Sequence, residues 1–487
     1  MGRRELLRAA ALGAAAAVLS GRGAWAQEPA ATQAAQATTR PAGSPRRVVV
    51  VGAGLSGLVC AARLLKAGAE VEVLEARPRV GGRVHTTTDW LEGRWVDLGG
   101  ELIGSNHPRW LALAEELGIE LQELGGDDDL SEPILLGGRL LEDEDEIEKL
   151  DEQLNTILED LVGLAEGIDG SEPWKAEGAE RLDRQSVADY LGQKKFAALE
   201  LGRMAVRQQL EADNAVALER QSLLGVLALV SGGGGSDFFE HSEDYRCKGG
   251  SQRLALRLAE QLGRDRVSLG RPVQSVERIE GGVRVVAGDR RVEADHVVLA
   301  IPPTMLSRIR LGEGLALPAG VGEQSLGEAL KFIWQVQSRF WREEELSQYS
   351  SSDGAISYTW EATDGQDGKG AALTAFCGGP GAGKVRPHVG KGLAEFMAGE
   401  LARLYPTCGE HLDATRLVDW PSDPFSRGAY SCPPPGGVLG VCRLLRNPLQ
   451  ERVHLAGEHC STAFSGYMEG ALESGLVVAE RILARVR

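Results

Sequence analysis

The residues with the clearest chemical purpose are three glycines in the spacing G-x-G-x-x-G, Gly52, Gly54 and Gly57. In this pattern the first glycine makes a tight turn, the second lets the backbone approach a pyrophosphate, and the third lets a helix pack closely on a strand. Glu75 lies about 20 positions beyond the third glycine, where a carboxylate accepts hydrogen bonds from ribose hydroxyls. The spacing therefore predicts a dinucleotide site, and it fits NAD and FAD equally well.

The residues around these glycines predict the elements that must hold the site. Val48–Val51 is a run of β-branched residues, typical of a buried parallel strand. The apolar period of Leu58–Leu65 predicts a helix that ends at Gly68, and Ala69–Leu74 predicts a second strand that leads to Glu75. Strand, helix, strand and acidic residue thus follow one another in the order of a Rossmann unit.

Length, composition and charge limit the class of protein. The chain has 487 residues, of which 43% are hydrophobic and 25% charged, too many for one compact core, so we expect two domains or interleaved subdomains. The formal net charge of -17 argues against a nucleic-acid partner. The seven cysteines show no CxxC or His-rich ligand spacing, so we expect no metal site, and no disulfide pair can be chosen.

The first residues have the layout of an export signal. Arg3 and Arg4 precede a short segment rich in alanine, which ends in the A-x-A cleavage pattern Ala24–Ala26. The pattern predicts a twin-arginine signal peptide at 1–26, the twin-arginine export machinery as a partner, and a periplasmic or extracellular location; an unprocessed tail is the alternative. Residues 27–45 predict a flexible linker. No later segment predicts a membrane anchor.

The residues after Glu75 distinguish between NAD and FAD as the bound dinucleotide. Glu75–Arg83 (EARPRVGGR) resembles the E-A-R-x-x-x-G-G-R segment of the flavin-containing amine oxidase superfamily, and Trp95–Gly104 (WVDLGGELIG) resembles its next flavin-facing segment. Asp244–Gly263 and Asp295–Pro303 extend the similarity along the chain. The resemblance implies FAD, with these cofactor-binding residues in addition to the glycines and Glu75: Arg77, Gly82, Arg83, Gly99, Gly100, Glu101 and, through its backbone at the adenine, Val273.

The resemblance also implies the architecture. It is an α/β (α+β) fold of the monoamine oxidase/p-hydroxybenzoate hydroxylase type, in which a Rossmann-like FAD-binding domain is interleaved with a substrate-binding domain. The FAD-binding domain is expected to comprise 46–125, 245–310 and 415–487, and the substrate-binding domain 126–244 and 311–414.

Ala456–Gly475 (AGEHCSTAFSGYMEGALESG) contains a glutamate, a tyrosine and a methionine among many small residues. This segment resembles the C-terminal flavin motif of the same superfamily. The resemblance implies that Gly457 and Glu458 lie beside the cofactor. It also implies that Met468, at a helix N-terminus, presents its backbone N–H to the flavin. Tyr467 is then expected on the substrate side.

Trp420–Gly437 (WPSDPFSRGAYSCPPPGG) resembles the segment of monoamine oxidase that supplies one wall of an aromatic cage. The resemblance implies that Trp420 borders the flavin and that Tyr430 and Tyr467 flank the amine. Taken alone, each tyrosine also fits an ordinary core aromatic. Covalently flavinylated members carry a cysteine where this chain has Ala429, so we expect non-covalent FAD.

Ser325–Trp341 alternates in the manner of a strand and places Lys331 on one face with Ile333 and Gln335. The segment resembles the strand whose lysine holds a water at flavin N5 and assists electron transfer to O2. A solvated lysine at a strand edge is the alternative. Lys331, Tyr430 and Tyr467 are thus the expected catalytic residues.

The resemblance implies FAD-dependent oxidative deamination of a small amine by hydride transfer to flavin N5. O2 is then reduced to H2O2, and the imine is hydrolysed to an aldehyde. An L-amino-acid oxidase or another flavin oxidoreductase of the superfamily is one alternative, although the arginine motif for a carboxylate is missing from GELIGSNHPRW. A non-catalytic flavin-binding protein is the other. The sequence selects neither the amine nor the oligomeric state.

Overall fold

The computed structural model describes residues 46–125, 127, 129–321, 326–449 and 451–484. The predicted export signal at 1–26 and the predicted linker at 27–45 lie outside these residues. The strands are β1 Arg47–Val51, β2 Glu70–Leu74, β3 Thr86–Thr87, β4 Val96–Asp97, β5 Leu102–Ile103, β6 Leu121–Glu123, β7 Ile134–Leu136, β8 Arg139–Leu141, β9 Tyr245–Cys247, β10 Val267–Ser268, β11 Ser275–Ile279, β12 Gly282–Ala287, β13 Arg290–Ala294, β14 His296–Leu299, β15 Arg310–Leu311, β16 Ala329–Val336, β17 Ser350–Ser352, β18 Tyr358–Glu361, β19 Ala371–Gly378, β20 Leu412–Asp419 and β21 Val453–Leu455. The α-helices are α1 Leu55–Lys66, α2 Pro108–Glu116, α3 Glu144–Ala165, α4 Ala179–Arg184, α5 Val187–Leu191, α6 Glu200–Asp213, α7 Leu223–Gly232, α8 Asp237–His241, α9 Gln252–Leu262, α10 Pro303–Leu306, α11 Phe340–Glu343, α12 Pro380–Val385, α13 Leu393–Ala402, α14 Arg443–Leu445 and α15 Met468–Ala484.

A five-stranded sheet of order β10-β2-β1-β14-β21 forms the Rossmann-like part. All of its neighbouring strands run parallel. Val48, Val49 and Val50 in the centre have no exposed surface, as expected of a parallel sheet covered on both faces. The predicted strand–helix–strand unit is confirmed, although α1 begins at Leu55 and not at Leu58.

Helix α15 packs on α1, which brings the end of the chain against the fingerprint. A Cβ at Gly475 would lie 2.3 Å from the backbone oxygen of Ser56, so the two helices approach each other at a glycine. The predicted helix N-terminus at Met468 is confirmed. Just inside it, the buried Glu469 carboxylate accepts hydrogen bonds from the backbone N–H groups of Arg109 (3.0 Å) and Trp110 (2.9 Å). This carboxylate links the starts of α15 and α2.

The second large sheet has seven strands in the order β20-β16-β19-β18-β17-β7-β8. Across its central strands Lys331 lies opposite Phe376, and Phe376 lies opposite Tyr358. Directly opposite residues in antiparallel strands point to the same face, so these three side chains form one row. The domain boundaries stay a prediction; β20 pairs within this sheet and crosses the predicted boundary at 415.

Helices α3 to α8 lie between residues 144 and 241, so this part of the chain is mainly helical. A four-stranded sheet of order β13-β12-β11-β15 and a three-stranded sheet of order β5-β9-β6 complete the larger sheets of the described residues. Among the helices described, none combines the length and apolar character needed to cross a bilayer.

Candidate active site

The three fingerprint glycines have the separate roles that their spacing predicts. Gly52 has a φ of +104°, and a Cβ there would lie 2.4 Å from the backbone oxygen of Ala300. A Cβ at Gly57 would lie 2.1 Å from the backbone oxygen of Gly52. A Cβ at Gly54 would meet no described atom within 4 Å. The outer glycines therefore permit the turn and the helix packing, and the middle one faces open space.

Glu75 and the second glycine pair line the same turn. The Glu75 carboxylate accepts hydrogen bonds from the backbone N–H groups of Ala53 and Arg77, both at 2.7 Å. A Cβ at Gly82 would lie 3.3 Å from the Cα of Gly54, so the G-G segment lies directly over the fingerprint. The glycines form a cradle at the start of α1, with the Glu75 carboxylate held beside it, which fits the pyrophosphate and ribose of a dinucleotide.

Two of the three arginines in Glu75–Arg83, Arg77 and Arg83, contact residues far away in the sequence. Arg77 donates to Asp423 and, at 2.9 Å, to Ser426. Arg83 donates to the backbone oxygen of Ala429 and to Glu458, both at 2.7 Å. Both arginines therefore join the fingerprint region to the chain around Tyr430, and any contact with FAD phosphates stays a prediction.

Val273 lies in the loop after β10. A hydrogen bond of 2.7 Å from the backbone N–H of Arg271 to the Glu75 carbonyl fixes this loop beside the end of β2. Its side chain packs against the apolar cluster below the parallel sheet. This places Val273 at the end of β2 and away from the tyrosines. Its predicted backbone contact with adenine stays a prediction.

Glu458 is the centre of a buried network. It accepts hydrogen bonds from Arg83, from the Ser431 hydroxyl and, at 2.8 Å, from the backbone N–H of Gly466. Burial alone would raise the pKa of this carboxyl, but Arg83, His459 and the Ser431 hydrogen bond hold it below the usual value. Glu458 is therefore an anion that fixes Gly466, the residue before Tyr467. Gly457 precedes it with a φ of +150°.

The tyrosines predicted to form a cage lie next to each other across Gly466. A Cβ at Gly466 would lie 3.3 Å from the ring of Tyr430. Tyr430, Phe376 and Trp420 all pack against a small cluster of buried alanines. The indole N–H of Trp420 donates to the Leu98 carbonyl at 3.3 Å. Tyr430 and the predicted flavin-bordering tryptophan are thus brought to one cluster, and Tyr467 follows the glycine that Tyr430 contacts. The cage itself stays a prediction.

Lys331 lies in a buried charge cluster with Glu101 and Arg246. Its ammonium donates to the Glu101 carboxylate at 2.7 Å and to the backbone oxygens of Gly99 (2.9 Å) and Asp97 (3.2 Å). Arg246 reaches the same carboxylate at 2.9 Å. Lys331 is only 7% exposed, so the alternative of a solvated edge lysine is wrong.

The pKa values of two carboxyl groups in this cluster, Glu101 and Asp97, are shifted in opposite directions. Burial raises the pKa of Glu101, but Lys331 and Arg246 outweigh it and keep this pKa below its usual value. Burial and the neighbouring Glu101 raise the pKa of Asp97 to about 7. Asp97 also accepts hydrogen bonds from the Thr86 hydroxyl (2.5 Å) and the Ser251 backbone (3.1 Å). Negative charge is therefore concentrated on Glu101.

The backbone of Gly99 and Gly100 lies between this cluster and the start of α15. A Cβ at Gly99 would lie 2.0 Å from the Arg83 backbone oxygen, and one at Gly100 would lie 3.2 Å from the Met468 sulfur. Gly99 requires glycine because two backbone segments touch there, whereas the neighbour of Gly100 is the Met468 side chain. The predicted flavin-facing residues of three separate motifs are thus adjacent.

Sequence reasoning assigned no role to Arg246, Asp97 or His107. The first two stand inside the motifs that carry the resemblance, so their positions were a usable signal. His107 packs edge-on against Tyr467, with ring centroids 5.5 Å apart. Burial lowers its pKa to about 4, so the ring is neutral. No local pattern distinguishes this histidine, because its contact partner lies at the other end of the chain.

A sequence profile of flavin containing amine oxidoreductases matches residues 55–483, and one of pyridine nucleotide-disulphide oxidoreductases matches residues 10–98. This chain belongs to the flavin containing amine oxidoreductase family. It is an FAD-dependent enzyme that acts on amines, and the glycine-lined cradle described above fits that cofactor.

Relatives and solved structures agree with this amine oxidase assignment. Flavin-containing amine oxidase B of Homo sapiens is 30% identical over 463 residues, which cover 90% of this chain and 86% of that enzyme. A structure of putrescine oxidase bound to putrescine superposes with a TM-score of 0.80 at 28% identity, covering 91% of this chain and 99% of that one. Cyclohexylamine oxidase from Brevibacterium oxydans IH-35A superposes with a TM-score of 0.81 at 27% identity, with the same coverage. The predicted fold class is confirmed.

The open space at Gly54 makes a prediction about this amine oxidase. Gly54→Ala adds a methyl group that touches no described protein atom but enters the space for the pyrophosphate. We expect FAD binding to weaken about tenfold to a hundredfold, since overpacking costs about 1–3 kcal/mol. The melting temperature of the apoprotein should be unchanged. Flavin content per chain, read from the visible absorbance, measures the effect.

Gly383→Ala is the matched control, because a Cβ at this glycine of α12 also meets nothing within 4 Å. It should retain full flavin content. A Gly54→Ala protein with undiminished affinity for FAD would show that the fingerprint does not approach the cofactor.

Proposed function

We propose that this enzyme oxidatively deaminates a small amine held between Tyr430 and Tyr467, with O2 as the electron acceptor and H2O2 as a product. The overall reaction converts the amine, O2 and water to an aldehyde, ammonia or a smaller amine, and H2O2. The observation that carries the proposal is the contact of the Tyr430 ring with Gly466, the residue before Tyr467, with Trp420 and Phe376 packed against the same alanine cluster as Tyr430.

Bound FAD supplies a hydride acceptor for the α-carbon of the amine and returns the electrons to O2. The protein's part is orientation and exclusion of water. Burial, followed by the negative charge of Asp213, raises the pKa of Tyr430 well above its ordinary value. Its phenol therefore stays neutral and offers an aromatic face. Two such walls limit the directions from which an amine nitrogen can approach.

Lys331 is proposed to provide the fixed positive charge that assists electron transfer to O2. A lysine ammonium has three N–H donors, and in this structure three protein acceptors lie within hydrogen-bond distance. Holding a water as well therefore requires exchange of one bond, of which the 3.2 Å contact with the Asp97 carbonyl is the longest. The charge itself stays in place through Glu101.

An anaerobic panel of amines tests the proposed function. At least one primary, secondary or polyamine should bleach the flavin, and admitting air should restore the colour and release peroxide. Lys331→Met should slow reoxidation about tenfold or more, by analogy with other fixed electrostatic contributions, and change flavin reduction much less. Stopped-flow absorbance measures both rates.

Gln335→Met is the control for Lys331→Met, because it lies on the same face of β16 but carries no charge. It should leave the ratio of the two rates unchanged. Equal effects of Lys331→Met on reduction and reoxidation would remove the proposed role of the lysine. A flavin that no amine or amino acid bleaches would favour a non-catalytic binding protein.

We also propose that the FAD is bound without a covalent link. Ala429 stands where covalently flavinylated relatives carry the cysteine. The nearest cysteine in sequence, Cys432, is buried, and burial raises the pKa of its thiol to about 12. The thiolate required for attack on a flavin is therefore scarce at this position.

Acid denaturation tests the linkage. After precipitation in acid, all of the yellow chromophore should remain in the supernatant, with the spectrum of free FAD. Colour that stays with the precipitated protein after washing would contradict non-covalent binding.

Export through the twin-arginine route is proposed from Arg3, Arg4 and the cleavage pattern at Ala24–Ala26. This route carries folded proteins, which suits an enzyme that takes up its cofactor first. Replacing both arginines by lysine should retain the full-length protein in the cytoplasm of a bacterial host. Fractionation followed by mass spectrometry of the N-terminus measures this, and undiminished export of the variant would contradict the route.

A further inference from the structure

The C-terminal end of helix α6 lies against the tyrosines. The Tyr430 hydroxyl donates to the backbone oxygen of Ala212 at 3.4 Å, and α6 ends at the next residue, Asp213. The last carbonyls of a helix carry partial negative charge. A carboxylate and a helix C-terminus therefore coincide at one edge of the aromatic site.

Asp213 is joined to the row of side chains on the seven-stranded sheet. Its carboxylate accepts a hydrogen bond from the Tyr358 hydroxyl at 3.0 Å. The Tyr358 ring stacks on Phe376 with centroids 6.5 Å apart and an interplanar angle of 18°. Phe376 and Tyr430 both pack against one cluster of buried alanines. The carboxylate is thus held at the far side of an aromatic wall that begins at Tyr430.

The electrostatic field at this wall is negative. Burial is the largest cause of the raised pKa of Tyr430, and Asp213, Tyr467 and the exposed Glu243 add to it in the same direction. A field that opposes a phenolate stabilises a cation in the same place. Asp213 is half-buried, so a ligand can reach it with much of the surrounding water excluded.

The negative charge of Asp213 does not favour reaction of a nitrogen placed beside it, because it stabilises the protonated form of that nitrogen. An ammonium has no free electron pair, so the reacting amine must be neutral while its hydride leaves. A second cationic group, further along the same molecule, is stabilised by Asp213 without affecting that requirement. Its charge also makes the neutral form of the other amine easier to reach, because like charges repel.

Resting on the proposed function, we propose that the preferred substrate is a short α,ω-diamine or polyamine, and that Asp213 determines this specificity by pairing with the distal ammonium. Tyr358 positions the carboxylate through its hydroxyl. The neutral end of the molecule then lies between Tyr430 and Tyr467, and the aromatic wall formed by Phe376 and Tyr358 covers the methylene chain.

The test compares diamines from 1,3-diaminopropane to 1,6-diaminohexane with n-alkylamines of equal carbon number. In the unsubstituted holoenzyme the best diamine should exceed its matched monoamine about tenfold or more in kcat/KM, which is typical of a charge-assisted hydrogen bond. Asp213→Asn should remove that preference by lowering kcat/KM for the diamine, and should change the monoamine by about threefold or less.

Tyr358→Phe removes only the supporting hydroxyl and should lower the diamine preference by a smaller factor. This variant tests the proposal if Asp213→Asn does not fold. Asp289→Asn is the control, because this carboxylate is 79% exposed and lies in the four-stranded β13-β12-β11-β15 region. It should leave both substrates unchanged.

Equal kcat/KM for every diamine and its matched monoamine would overturn the assignment and leave amine oxidation in place. An equal loss on both substrates in Asp213→Asn would overturn it in the same way. Absence of flavin bleaching by every amine is a different result, which contradicts the proposed function and this specificity with it.

Discussion

The ion pair between Arg83 and Glu458 connects most parts of the active site. Its side chains are 22% and 6% exposed, and they come from the segment after the fingerprint and from the C-terminal motif. Arg83 also holds the carbonyl of Ala429, the residue before Tyr430. Glu458 also holds the N–H of Gly466, the residue before Tyr467. One ion pair therefore holds the backbone immediately before each of the two tyrosines.

Buried charge pairs of this kind make a site rigid, although they do not necessarily make a protein more stable. Removing water from two ions costs energy that their attraction repays only when other hydrogen bonds complete the arrangement. Loss of a single partner typically costs about 3–5 kcal/mol, because the other charge stays buried. Glu458 and Glu101 each receive several donors besides their main cation. Such networks keep few alternative geometries open, which suits an enzyme that must hold an amine at a fixed distance from a flat cofactor.

The site divides its charges between two sides. Lys331 and Arg246 lie around Glu101, behind the backbone of Gly99 and Gly100. Asp213 lies beyond the tyrosines, at the end of α6. The aromatic side chains between them separate the two groups and carry no charge of their own. In the proposed arrangement a substrate enters a region whose far edge attracts cations, while the lysine lies beside the proposed flavin position.

The sequence by itself determined the parts of the site that depend on local spacing. Gly52, Gly54, Gly57 and Glu75 belong to one strand–helix–strand unit, in which each residue's conformation follows from neighbours within about one turn or strand, so the spacing was sufficient. The resemblance located Tyr430, Tyr467 and Lys331, and the fold class followed from it. The predicted ends of helices were less accurate, since α1 begins at Leu55 and was predicted to begin at Leu58.

Only the tertiary structure decided which charges meet. Glu101 forms ion pairs with Lys331, which is 230 positions away in the sequence, and with Arg246. Asp213 accepts a hydrogen bond from Tyr358, which is 145 positions away. Whether a lysine or an aspartate is buried beside a partner or left in water depends on strand pairing and helix packing over these separations. No local period or propensity encodes such distances. The proposed catalytic residues were therefore identifiable from the sequence, whereas their electrostatic surroundings required the folded protein.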